Sequence, residues 1–187
     1  MSAELDVLVA GYVGERVAST VSLIRDGDLL VVVDPGMVAD RSAILGPLRA
    51  RGIAPEAITD IVISHHHPDH TMNIALFPNA RVHDFWATYQ ADVWTDREPG
   101  EFVLSPSIRL LPTPGHTDQD ITTVVEAADG VAALTHLWWT EQGPADDPFA
   151  ADRALLRASR ELVLALNPAM IVPGHGAPFT PSAATPL

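Results

Sequence analysis

Cysteine is absent from this chain of 187 residues, which removes disulfides, zinc ribbons and thiol nucleophiles without by itself fixing the redox compartment. Basic residues are scarce, 11 Lys and Arg against 24 Asp and Glu, and no stretch is rich in them. The formal charge of −13 repels phosphate backbones and anionic lipid surfaces, so neither nucleic acid nor a membrane is an expected partner. Long apolar runs are missing too. None approaches the roughly 18 residues that span a bilayer, and the segment from Met1 to Asp6 has acids and no basic leader-like region. A soluble, cytoplasmic protein is expected. Hydrophobic residues at 47% and charged residues at 19% suit a packed core, and the length suits one domain, 1–187, without repeats or linkers.

Histidine is what the chain has in concentration. The run Ser64-His65-His66-His67-Pro68-Asp69-His70 packs imidazoles and a carboxylate into one turn of sequence. Such donors select zinc, iron(II) or manganese, and the lack of thiolates favours a catalytic over a structural site.

The surrounding pattern places this run. Val17 to Ile24 and Leu29 to Val33 read as strands joined at Asp26-Gly27, and Ile44, Leu45 and Leu48 recur at helical spacing before Gly52. Ile58 to Ile63 is the strand from which the histidine run emerges, and Asp69 to Leu76 continues as a short helix. Ala80 to His83, Ile108 to Leu111, Ile121 to Glu126, Val131 to Thr135 and Met170 to Val172 are further strands. Asp152 to Leu166 is a helix capped by Asp152, the aromatic stretch from Phe85 to Phe102 has no assignment, and Ala177 to Leu187 reads as a loose tail. Two further turns, Pro114-Gly115-His116-Thr117 and Pro173-Gly174-His175-Gly176, also follow strands, so all three can meet at one sheet edge.

At this point the chain resembles the metallo-β-lactamase superfamily. His65-His66-His67-Pro68-Asp69-His70 matches its His-x-His-x-Asp-His motif, His116 and His175 follow in order, and Asp34-Pro35-Gly36 looks like its Asp-x-Gly turn. His83-Asp84-Phe85 and Val172 to Phe179 are similar to the branch that includes metallo-β-lactamase domain-containing protein 1. The resemblance implies an α/β (α+β) fold, a four-layer αββα sandwich with its site at one edge. It further implies that His65, His67 and His116 hold one metal, that Asp69, His70 and His175 hold a second, and that Asp69 handles protons. Zinc, as one ion or two, is the expected cofactor, with Fe2+ or Mn2+ as alternatives.

One position departs from the family. Where its metal-bridging Asp is expected, the chain reads Thr135-His136. One imidazole nitrogen has a single lone pair and cannot bridge two ions as a carboxylate does. His136 is therefore a ligand to one ion, a donor behind the ligands, or a core histidine, and filling of the second site is the open point. His66 alternates away from His65 and His67, His83 is a core or supporting residue, and Asp34 supports the site. Trp86, Trp94, Trp138 and Trp139 are either pocket wall or core.

The expected activity is hydrolysis of an ester, thioester or lactone bond in a small substrate. A mononuclear iron oxygenase of sulfur compounds and a non-catalytic metal-binding member of the fold are the alternatives. A homo-oligomer is left open.

Overall fold

The run Leu29–Val33 is apolar throughout because both of its faces are covered: Val31 and Val33 join one apolar cluster and Val32 another. The same alternation separates Ile24 from Leu23, Val62 from Ile61, and Leu134 and Val172 from Ala133 and Ile171. Three apolar layers built this way need four structural layers. The computed structural model, which describes residues 2–187, arranges them as helix, sheet, sheet, helix.

The first sheet has seven strands in sequence order: β1 (Glu4–Val9), β2 (Val21–Asp26), β3 (Leu29–Val33), β4 (Asp60–Val62), β5 (Arg81–His83), β6 (Ala87–Gln90) and β7 (Val93–Asp96). The second contains β8 (Phe102–Ser105), β9 (Ile108–Pro112), β10 (Ile121–Ala127), β11 (Gly130–Thr135) and β12 (Met170–Pro173), ordered β12-β11-β10-β9-β8. Ile24, Val31 and Val33 meet Ile108, Ile121 and Leu134 between the sheets. Helix α1 (Ser42–Ala50) covers the outside of the first sheet with Ile44 and Leu48. After the short α2 (Pro68–Thr71), α3 (Arg153–Ala165) covers the second sheet with Leu156 and Val163. The fold is the expected αββα sandwich.

Local signals account for several boundaries. Gly27 takes φ 59° in the β2–β3 hairpin, and Asp152 caps α3 by accepting from the amides of Ala154 and Leu155 at 2.8 and 3.1 Å. Elsewhere the structure corrects the sequence reading. The stretch expected to start a strand at Val17 is first a tight turn, closed by Tyr12 and Ala18 through two backbone bonds of 3.0 and 2.9 Å. The helix expected over Asp69 to Leu76 stops after one turn, because Asn73 is drawn back to β3's end by bonds to Pro35 O at 2.9 Å and Gly36 O at 2.6 Å. The unassigned aromatic stretch supplies the β6–β7 hairpin, and β1 and β8 were not legible at all. The tail is tied down: Phe179 exchanges backbone bonds with Ile171 at 2.8 and 2.9 Å, and Pro186 O accepts from Trp138 Nε1 at 2.8 Å. Among the described residues no helix is long and apolar enough to cross a membrane.

Candidate metal centre

Strand direction gathers the histidines. β3 and β4 are parallel, β11 and β12 are parallel, and β9 runs with β11 because both are antiparallel to β10. Their C-terminal ends carry Asp34, the Ser64 to His70 turn, His116, His136 and His175. Two backbone bonds join the sheets there, Ile121 N to Ser64 O at 2.9 Å and Thr20 N to Gly174 O at 2.8 Å.

Two donor groups adjoin. His67 Nδ1 lies 3.0 Å from His65 Nε2 and 3.1 Å from His116 Nε2. Asp69 Oδ2 lies 3.6 Å from His70 Nε2 and 3.5 Å from His175 Nε2. His136 stands between them, its Nε2 3.1 Å from His175 Nε2 and its ring 4.1 and 4.5 Å from those of His116 and His65. One ligand atom each from His65, His116 and His136, and likewise from His70, His136 and His175, falls within 4.8 Å of its neighbours. Nitrogens in a tetrahedral zinc shell, with Zn–N of about 2.0–2.1 Å, stand about 3.3 Å apart, so the spacing fits an ion.

Hydrogen bonds behind the ligands orient the imidazoles. His70 Nδ1 is 2.8 Å from Asp34 Oδ2, His116 Nδ1 is 2.8 Å from Asp147 Oδ2, and His175 Nδ1 is 2.9 Å from Ala18 O. These oxygens only accept, so each Nδ1 carries the proton and each Nε2 turns a lone pair inward. His65 Nδ1 meets Ser64 Oγ at 3.0 Å. Two buried nitrogens, His70 Nε2 and His136 Nδ1, have no hydrogen-bond partner, a costly state in a protein interior that metal coordination relieves. Burial, reinforced by the neighbouring imidazoles, pushes His65 and His136 well below the usual histidine range, and burial lowers His67 and His175 too. They are therefore neutral at neutral pH, the form that binds metal. Burial pushes the Asp147 carboxyl up, but bonds from His116, the Phe149 amide and Trp139 outweigh it and hold it below its ordinary value.

All seven residues singled out as ligands, His65, His67, Asp69, His70, His116, His136 and His175, come together. Asp34, at φ 52°, accepts from Ser64 N at 2.7 Å as well as from His70. His66 turns outward to Asp84 at 2.9 Å, and His83 pairs with buried Asp60 at 2.7 Å away from the site. Of the four tryptophans only Trp139 lines the cavity: Trp138 is core, while Trp86 and Trp94 are exposed near the sheet edge. Sequence reading missed Asp147, a loop carboxylate with no motif around it. Close packing explains two glycines, since a Cβ at Gly36 would collide with the Asp69 backbone and one at Gly174 with the His136 ring.

The donors floor an open cavity of about 320 Å³ walled by Val13, Val17, Trp139 and Phe149. A larger cavity of about 530 Å³ beside Leu5, Ala132 and Phe179 contains no histidine, so chemistry rather than size selects the site.

Comparison with known proteins agrees. A sequence profile described as the metallo-beta-lactamase superfamily matches residues 14–87. Metallo-beta-lactamase domain-containing protein 1 of Mus musculus is 33% identical over 159 residues, 80% of this chain and 60% of the mouse protein, so the chain spans about three fifths of that relative. Among solved structures, a Thermotoga maritima protein provisionally assigned as a metallo-beta-lactamase superposes with TM-score 0.74 at 21% identity, covering 97% of this chain and 100% of the other. A quorum-quenching N-acyl homoserine lactone lactonase superposes with TM-score 0.68 at 18% identity, covering 93% and 91%. With its motifs in order, its sandwich fold and its histidines at one sheet edge, the chain matches the metallo-β-lactamase superfamily in sequence over residues 14–87 and shares the fold of its solved neighbours.

Proposed function

We propose that the chain is a metal-dependent hydrolase of an ester, thioester or lactone bond in a small substrate. The observation that carries this reading is the pair of adjoining donor sets whose lone pairs Asp34, Asp147 and Ala18 O turn toward an open cavity. His65, His67 and His116 would hold one ion, and Asp69, His70 and His175 a second. His136, within reach of His65 and His116 on one side and of His70 and His175 on the other, would bind a single ion and leaves the two halves without a shared carboxylate. An ion such as zinc held by these residues would lower the pKa of water toward neutrality and polarise the carbonyl under attack. Asp69, half-buried at the cavity floor, accepts the proton of the attacking water and returns it to the leaving group. That one of the structural neighbours is named as a lactonase is consistent with this choice of bond.

Protein stripped by chelator and reloaded separately with zinc, manganese or iron(II) tests the reading against lactone, thioester, β-lactam and phosphodiester substrates. One metal should restore turnover of the first two classes, and Asp69→Asn should lower it about 10²-fold or more. Turnover that survives chelation refutes the proposal. A second reading has its own observation: Asp69, His70 and His175 are two histidines and a carboxylate, the donor set of non-haem iron oxygenases. Oxygen uptake by iron-loaded protein with a persulfide would select it, since hydrolysis consumes no oxygen.

A further inference from the structure

We infer that Trp139 and Phe149, which line one cavity together with Val13 and Val17, form a slot for the apolar acyl chain of an uncharged ester or lactone, and that Asp147 is the positioning residue tying this slot to His116. The inference rests on the hydrolytic reading and narrows its substrate. The rings of Trp139 and Phe149 lie 5.8 Å apart and 33° from parallel, and Phe149 lies 5.4 and 5.9 Å from His116 and His67. A group seated between these walls is thus held beside the candidate ligands. Phe149 is 62% exposed and Val13 43% exposed, apolar surface that an acyl chain would cover. Val13 and Val17 sit on the turn closed by Tyr12 and Ala18, so the second wall is backbone-braced.

Charge narrows the class further. The chain has no lysine, its 11 basic residues are all arginine, and none of them lines the cavity. Asp69 is the sole acid in the lining, and the nearest arginine in sequence, Arg16 on the Tyr12–Ala18 turn, stands outside it with its guanidinium 5.5 Å from the Tyr12 ring, so no side-chain cation inside the cavity pairs with a carboxylate or phosphate. A neutral, apolar far end suits these walls.

Asp147 ties the parts together. Its buried Oδ2 accepts from His116 Nδ1 and Trp139 Nε1, both at 2.8 Å, while Oδ1 accepts from Phe149 N at 2.9 Å. One carboxylate thus sets a candidate ligand and both aromatic walls. An asparagine that kept the Phe149 bond through its oxygen would point an NH2 at two donors.

Zinc-loaded protein and a series of neutral phenyl esters from acetyl to hexanoyl provide the test. kcat/KM should rise by up to about fourfold per methylene and at least about tenfold across the series. A terminal carboxylate on the hexanoyl chain should erase the gain. Phe149→Ala should bring the hexanoyl-to-acetyl ratio toward one. Asp147→Asn should lower that ratio and also weaken zinc binding about 10- to 100-fold, read by chelator competition. A flat series, or a preference for the carboxylate-bearing ester, overturns the slot. Loss of zinc affinity in Asp147→Asn with full selectivity at saturating zinc overturns the tie. If no ester is turned over, N-phenylhexanamide separates the two ideas by fluorescence, taking the Trp139 signal as the difference from Trp139→Phe. Saturable quenching absent from Phe149→Ala retains the slot while hydrolysis falls, and no quenching removes both.

Discussion

Replacing Asp34 by Asn should separate metal binding from stability. The wild-type carboxylate accepts from Ser64 N at 2.7 Å and from His70 Nδ1 at 2.8 Å, both in the interior. Asparagine can keep the first bond through its oxygen and tolerates φ 52° as Asp does, so the fold loses one charge-assisted bond at a cost of about 1–2 kcal/mol. Its NH2, however, faces His70 Nδ1, which must then accept. The His70 proton moves to Nε2, where the lone pair for metal had been. Affinity for the ion expected at Asp69, His70 and His175 should fall about 10- to 100-fold, or about 1.4–2.7 kcal/mol. Asp34→Ala instead strands both buried partners, at about 1–3 kcal/mol each, and puts alanine in a left-handed conformation at about 1–2 kcal/mol more. Urea unfolding of metal-free protein and titration calorimetry with zinc measure the two effects independently. Wild-type affinity in Asp34→Asn, or an Asp34→Ala protein no less stable than Asp34→Asn, would refute the tautomer argument.

Three further outcomes are expected. Burial raises the Asp120 carboxyl from 3.8 to about 6 against the opposing bonds from Thr117, so its favourable contribution is complete below about pH 4 and lost as pH rises through 6, about 3 kcal/mol in all. The lowered histidines slope oppositely, gaining stability up to their unfolded range, but do so equally in Asp120→Asn. The urea-measured stability of wild type relative to that variant should therefore drop by about 2.4 kcal/mol between pH 4 and 7, and a constant difference refutes the shift. Zinc at about 100 times its Kd should stabilise the protein by about 2.7 kcal/mol, seen calorimetrically as a raised Tm that shrinks in His65→Ala; no rise would count against the site. Gly174→Ala places a Cβ against the His136 ring, 2.8 Å from Nε2, and should cost about 1–3 kcal/mol and weaken zinc binding; an undisturbed variant would show that His136 moves freely.

Much of the sandwich was legible because its strands are local statements. Leu29–Val33 is short and apolar on both faces, and Gly27 and Gly130 mark hairpins at positive φ of 59° and 115°. What escaped had weak local signals. β1 is largely half-buried, β7 is exposed along its length, and β8 is short, so none shows a continuous apolar face. Asn73 ended a helix through bonds to Pro35 and Gly36, far back in the chain, which no helical periodicity encodes.

For the site, the residue types and their order were written in the sequence, since nitrogen and oxygen donors cluster at Ser64 to His70 and recur at His116, His136 and His175. Which nitrogen faces inward was not. That depends on partners brought by folding, Asp34 for His70, Asp147 for His116, and Ala18 O for His175 across 157 positions. The tertiary structure alone turned His136 beside His175 with its Nδ1 unpartnered, put Trp139 rather than Trp138 in the cavity wall, and sent His66 outward. A sequence specifies which donors exist, because that is chemistry carried by single residues. Their direction is a property of hydrogen bonds between distant segments, and these exist only once the two sheets have packed.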